Sequence, residues 1–128
     1  MQRRTRGGEP RKPTRLLTDL VLRDAMALAL LIALQEAIDI AYHVVSDEGW
    51  GVPDSHAAAF DLLAEHAVIH PELASNLSSA ARVRNRIAHG YASVVHARLW
   101  HEVPEGLSAR DAFAQAIAVW LPAKPASP

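Results

Sequence analysis

Arginine, asparagine, histidine and tyrosine crowd into one short stretch of this sequence, RVRNRIAHGY, residues 82 to 91. Arginine is a permanent cation whose planar fork matches phosphate oxygens. Histidine gives and takes protons near neutral pH. Arg84 and His89 therefore have the chemistry to grip a phosphodiester and move a proton at it, and Tyr91 adds a hydroxyl two residues further on. Spacing alone leaves two readings open. In one, Arg82 and Arg86 form a solvated basic face at a helix C-terminus, where cations are favoured, and His89 and Tyr91 merely close the helix. In the other, Arg84 and His89 are a catalytic pair. Positions i and i+5 of a continuous helix lie about 140° apart. The pair converges best if the helix stops between them, and Ala88-His89-Gly90 is where a stop is expected.

The elements that would carry this stretch read as helices. Leu16 to about Val45 holds no Gly or Pro and is dominated by leucine, alanine and isoleucine, which predicts one long helix with an early break near Asp19–Asp24. After Ala25 it is apolar on nearly all sides, as for a helix central to a bundle or at a subunit interface. SDEGWGVPD (46–54) is a loop, and Asp54 or Ser55 then caps a short helix over HAAAFDLLAEHAV, with Ala59, Phe60, Leu63 and Ala64 as its apolar stripe. A third helix is expected from Pro71, a favoured first-turn residue, to Gly90, a natural stop. The last region is helical again, with Pro104 and Gly106 interrupting it and apolar residues at Leu107, Phe113, Ile117 and Leu121. No strand alternation, internal repeat or sustained heptad appears. The expected fold is an all-α bundle over residues 16–121, between a basic flexible tail (1–15) and a Pro-rich tail (122–128).

Composition narrows the chemistry. At 128 residues with 50% apolar side chains the chain is one globular domain by size. It has no cysteine, which excludes disulfides, a thiol nucleophile and a cysteine-based zinc site. Residues 1–15 hold six basic residues against one acidic, a net +5, while the rest of the chain is net −6. The basic end can touch nucleic acid electrostatically, or be simply a solvated tail. No secretory signal is visible, and the most apolar run, AMALALLIAL (25–34), is half a membrane span and is followed at once by Gln35, Glu36 and Asp39. A soluble, cytoplasmic protein is expected.

The pattern Arg84-x4-His89-x-Tyr91, with Asn85 after the arginine, resembles the signature of the HEPN superfamily and specifically of the HepT-like toxins. QEAIDIAYHVV (35–45) resembles that family's first core-helix segment, and AFDLLAEHAVIHPELASNL (59–77) its middle helix and turn. The resemblance covers roughly residues 19 to 121. It implies an antiparallel helical bundle, a homodimer with paired motifs lining a cleft, and metal-independent RNA cleavage within a type VII toxin–antitoxin pair. On that basis His89 acts as general base or acid on the 2′-OH or leaving oxygen, and Arg84 neutralises the pentacovalent phosphate. Asn85 holds the helix end or a neighbouring chain. Tyr91 accepts AMP from a nucleotidyltransferase antitoxin, MntA. One departure stands: where the family has a full amphipathic helix before the Asp19 segment, this chain has a basic Gly/Pro-containing stretch, so that first helix is expected to be short or missing. The rival reading is a HEPN module without nuclease activity, dimerising through its apolar first helix as a scaffold for the nucleotidyltransferase.

Other polar residues read as support. Glu36 and Asp39 share one side of the first helix; if buried, they need a partner from Arg84, Arg86 or His43. Asp39 and Arg86 are therefore expected to back the site. His66 and His70 have zinc-binding spacing but no third ligand, and Pro71 breaks their helix, so neither a metal nor another cofactor is expected. His96 and His101 read as surface residues, and Trp50, Trp100 and Trp120 as core or interface anchors.

Overall fold

The computed structural model describes residues 13–90 and 96–123. The Gly- and Pro-free run predicted to be helical forms α1, Pro13–Glu48, which begins three residues before Leu16 and passes Asp19–Asp24 without the expected break. It ends where glycine permits. Gly49 has φ +71°, its N–H donates to the Ser46 carbonyl at 3.1 Å, and Trp50 N–H donates to the Val45 carbonyl at 3.0 Å. These paired bonds satisfy the last carbonyls of the helix and turn the chain back on itself.

Ser55, not Asp54, caps α2, His56–Glu65: its Oγ accepts from Ala58 N–H at 3.0 Å. This helix closes with the same pair of bonds as α1, from Ala67 N–H to the Ala64 carbonyl at 3.0 Å and from Val68 N–H to the Leu63 carbonyl at 2.9 Å. Here the left-handed position is Ala67, at φ +62°. A side chain there costs about 1–2 kcal/mol, offset in part because glycine is freer when unfolded. Ala67→Gly is therefore expected to stabilise the fold by about 1 kcal/mol and raise its thermal midpoint by about 3 °C. Thermal melts followed by circular dichroism check this; an unchanged or lower midpoint contradicts it.

Helix α3 spans Pro71–Gly90, with Pro71 and Glu72 in the first turn as the sequence implies. Helix α4, His96–Ala123, differs from expectation: it runs through Pro104, Gly106 and Pro122 without interruption. Packing overrides propensity here. Val103 is fully buried, and Gly106 lies where α4 crosses its neighbours; a Cβ at that position would stand 2.7 Å from Leu30 Cδ1 and 3.3 Å from Ala80 Cβ. Gly106 is a contact residue rather than a break.

The core falls into two parts. One gathers Ala37–Val45 of α1, Ala59–Leu63 of α2, Ala74 and Leu77 of α3, and Ala109–Ile117 of α4, with Phe60 and Phe113 edge to face at 5.9 Å. The other gathers Ala27–Leu34 of α1, Ala80, Val83 and Ile87 of α3, and Val103 of α4. As α1 advances from the second part to the first, so does α4, whereas α3 runs the opposite way. α3 is thus antiparallel to both, and α1 touches each of the other three helices. Among the described residues there is no strand, and no helix is long and apolar enough to cross a membrane.

Candidate active site

Arg84 sits in the second-last turn of α3, next to Val83, which is buried in the smaller part of the core. That placement turns Arg84 toward α1. It is half-buried, its Nη1 donates to Asn85 Oδ1 at 2.9 Å, and its Nη2 donates to Gln35 Oε1 across the helix pair. Gln35 Nε2 in turn donates to Asp39 Oδ1 at 2.9 Å, one turn along α1. The Arg84 Nε is buried and has no acceptor among the described residues. The guanidinium is therefore held by two neutral amide oxygens, with no carboxylate bonded to it among these contacts.

His89 is exposed in the last turn of α3, where a histidine suits the negative helix end. The helix does not stop between Arg84 and His89, where the pair would converge best; it continues through both to Gly90. Ile87, only 4% exposed, anchors this turn in the core, and Ala88 is a strong helix former, so nothing loosens the backbone before the glycine. On one α3 the two side chains leave the axis in directions about 140° apart.

The remaining arginines of the stretch divide around the helix. Arg86 Nη2 reaches both carboxylate oxygens of Glu102 at 2.8 Å, tying α3 to α4, and Arg82 donates to Ser79 Oγ at 3.1 Å. Both line a cavity of about 640 Å³ between α3 and α4, with Glu102, Glu105 and Asn76. Arg86 thus pairs with an acid on the side of α3 away from Gln35, and its direct contact is structural.

Glu36 and Asp39 of α1 are placed differently from the expectation. Neither is buried, and neither bonds directly to Arg84, Arg86 or His43. Glu36 is exposed and accepts from Arg110 of α4 at 2.8 Å. That bond, followed by the one to Asp111, holds the Arg110 guanidinium above its usual pKa. His43 lies 3.2 Å from Asp47. Asp39 is exposed and, among the described residues, joins the site through Gln35. Gln35 is the residue that sequence reasoning missed. Its signal was present: it is the first polar side chain after AMALALLIAL and stands four residues before Asp39. Nothing local, however, shows a partner 49 positions away.

Tyr91 lies outside the described residues. His66 stacks on Trp50 at 3.8 Å between ring centres, and its Nδ1 lies 2.9 Å from the Leu62 carbonyl; Trp120 meets Trp50 at 6.4 Å. Two of the three tryptophans are thus anchors at one end of the bundle. His70 is exposed, and so is His101, while the side chains of His96 and Trp100 lie outside the described residues. Among the described residues, no three His, Cys, Asp or Glu side chains gather in a way that would hold a metal ion.

The four helices of the described residues, in this order and with an arginine and a histidine near the end of the third, match a HEPN-type helical bundle. The Ribonuclease HepT-like family model matches residues 5–117, and the chain belongs to that family. It is 34% identical over 73 residues to the mRNA nuclease HepT of Shewanella oneidensis, a match covering 57% of this chain and 55% of that protein, so it spans about half of that relative's length. Its fold is similar to a structure of a tri-AMPylated Shewanella oneidensis HEPN toxin in complex with MNT antitoxin, with TM-score 0.72 and 29% identity over 79% of this chain and 76% of that one. It is also similar to a toxin–antitoxin structure with AMP-PNP, with TM-score 0.71 and 28% identity over 80% of this chain and 79% of that one.

Proposed function

We propose that this chain is the endoribonuclease toxin of a HEPN/MNT toxin–antitoxin pair, acting in the cytoplasm as a homodimer and without a metal ion. His89 moves the proton of the 2′-OH or of the leaving 5′-oxygen, and Arg84 meets the charge that builds on the phosphorane. A nucleotidyltransferase partner silences the enzyme by adding AMP to Tyr91. The observation that carries this reading is the state of Arg84: it is fixed in place by amide oxygens yet keeps its charge, five residues from an exposed imidazole. Support for the dimer comes from α1, whose outer face exposes Leu17, Val21, Leu28 (56%) and Ile32 (54%) at helical spacing, bordering the Gln35 turn. A stripe of that kind is stabilised by burial against a second copy.

The same stripe serves equally well in a scaffold that dimerises without cleaving RNA, and this second reading makes a different prediction. Full-length protein in excess EDTA, offered a fluorophore–quencher single-stranded RNA of mixed sequence, is expected to cleave it, and His89→Ala is expected to fall at least about a hundredfold. If both proteins are dimeric, folded and equally inert, in EDTA or with divalent ions, the scaffold reading holds instead.

A further inference from the structure

The three arginines near the end of α3 are held in three chemically different ways. Arg86 bonds a carboxylate, Arg82 a hydroxyl, and Arg84 two amides. A carboxylate at the Gln35 position would also anchor a guanidinium, and more strongly, but it would cancel the charge that a phosphate must find. An amide holds the fork while leaving its charge available. Its orientation is also fixed. An amide has a donor end and an acceptor end that can exchange places. Here the acceptor end faces the donors of Arg84 while the Nε2 donor end meets the Asp39 carboxylate at 2.9 Å, and the reversed amide would put donor against donor and acceptor against acceptor.

We propose that Gln35, oriented by Asp39, is the positioning residue for Arg84: it aims the guanidinium at the scissile phosphate without neutralising it. This rests on the reading of Arg84 as the phosphate-binding group. Gln35 itself does not touch the reacting atoms. Its effect is on the geometry reached in the transition state, so its loss appears in kcat rather than in KM.

The test uses the full-length protein and the same labelled RNA, comparing wild type, Gln35→Leu, Gln35→Glu and Arg84→Ala. Gln35→Leu is expected to lower kcat about a hundredfold with KM changed less than about threefold. Gln35→Glu is close to isosteric and guards against a variant that fails to fold. Its carboxylate pairs with Arg84, so activity falls near neutral pH and recovers relative to wild type as the pH drops and the new carboxyl takes up a proton. Three outcomes overturn the proposal. The first is wild-type kcat in both Gln35 variants while Arg84→Ala is inactive, which leaves the catalytic role of Arg84 standing. The second is an equal loss in both variants that follows their melting temperatures and does not vary with pH. The third is full activity in Arg84→Ala, which removes the catalytic reading together with this one.

Discussion

Mixing two inactive variants, Arg84→Ala and His89→Ala, is expected to restore about one quarter of wild-type RNA cleavage. Each variant alone should lose about 10²–10³-fold, the usual cost of deleting a charge stabiliser or a general acid–base group. The rescue follows from α3, which stays helical through both residues to Gly90 and so sends the two side chains apart on any one subunit. A dimer that brings two α3 ends together can build each site from Arg84 of one protomer and His89 of its partner. Random exchange makes half of the dimers mixed, and each mixed dimer holds one fully intact site and one doubly damaged site. The quarter follows from those two halves. Two affinity tags, one on each variant, isolate the mixed dimers and raise the expected recovery to about one half. Mixed dimers that are purified, folded and still inactive would place both groups of each site on one subunit.

Incubation with the partner nucleotidyltransferase and ATP is expected to silence wild-type protein and to leave Tyr91→Phe active. Tyr91 follows His89 by two residues, so their Cα atoms lie within about 7.6 Å whatever the intervening conformation. Each AMP joined there adds a phosphodiester charge and the bulk of a nucleoside beside the imidazole. An RNA phosphate approaching Arg84 would meet that charge at short range, where like-charge repulsion is strongest. We expect residual activity below about one hundredth of the unmodified protein, and a mass increase of one or more AMP units confined to the peptide containing Tyr91. Tyr91→Phe should show neither the increase nor the loss. Silencing of Tyr91→Phe to the same extent would move the modification elsewhere, and AMP on Tyr91 without loss of cleavage would remove its role as a switch.

Much of this arrangement is legible in the amino acids. Pro71 and Gly90 bracket α3 because the first cannot donate inside a helix and the second tolerates its end. Ser55 announces α2 by the type of its side chain, and the apolar face of α2 announces Phe60 and Leu63. Where the structure departs from the local pattern, the cause is non-local. Gly106 looks like a helix breaker until α1 and α3 are seen packed against it, and α4 carries the exposed Pro104 through without a break. Asp39 and Glu36 look like buried acids on an apolar helix, yet both lie on its solvent side. Arg84 and His89 were assigned by residue type and by likeness to a family motif. Gln35 has no motif to announce it, since its meaning depends on which helix is folded beside it.

The smaller part of the core also bears on inheritance. Between α1, α3 and α4 it sets the small residues Ala27, Ala33 and Ala80 among Leu30, Leu34, Val83, Ile87 and Val103, with Gly106 against Leu30. Small residues let helix axes draw together, and a guanidinium on α3 reaches an amide on α1 only while they do. Enlarging any of these plain side chains would part the two helices and leave every polar group of the site intact but out of register. Natural selection for a working site would then act on alanines and a glycine that take no part in the chemistry. Lineages that lose the activity should show that loss first as added methyl groups in this layer, while the arginine and histidine are still in place.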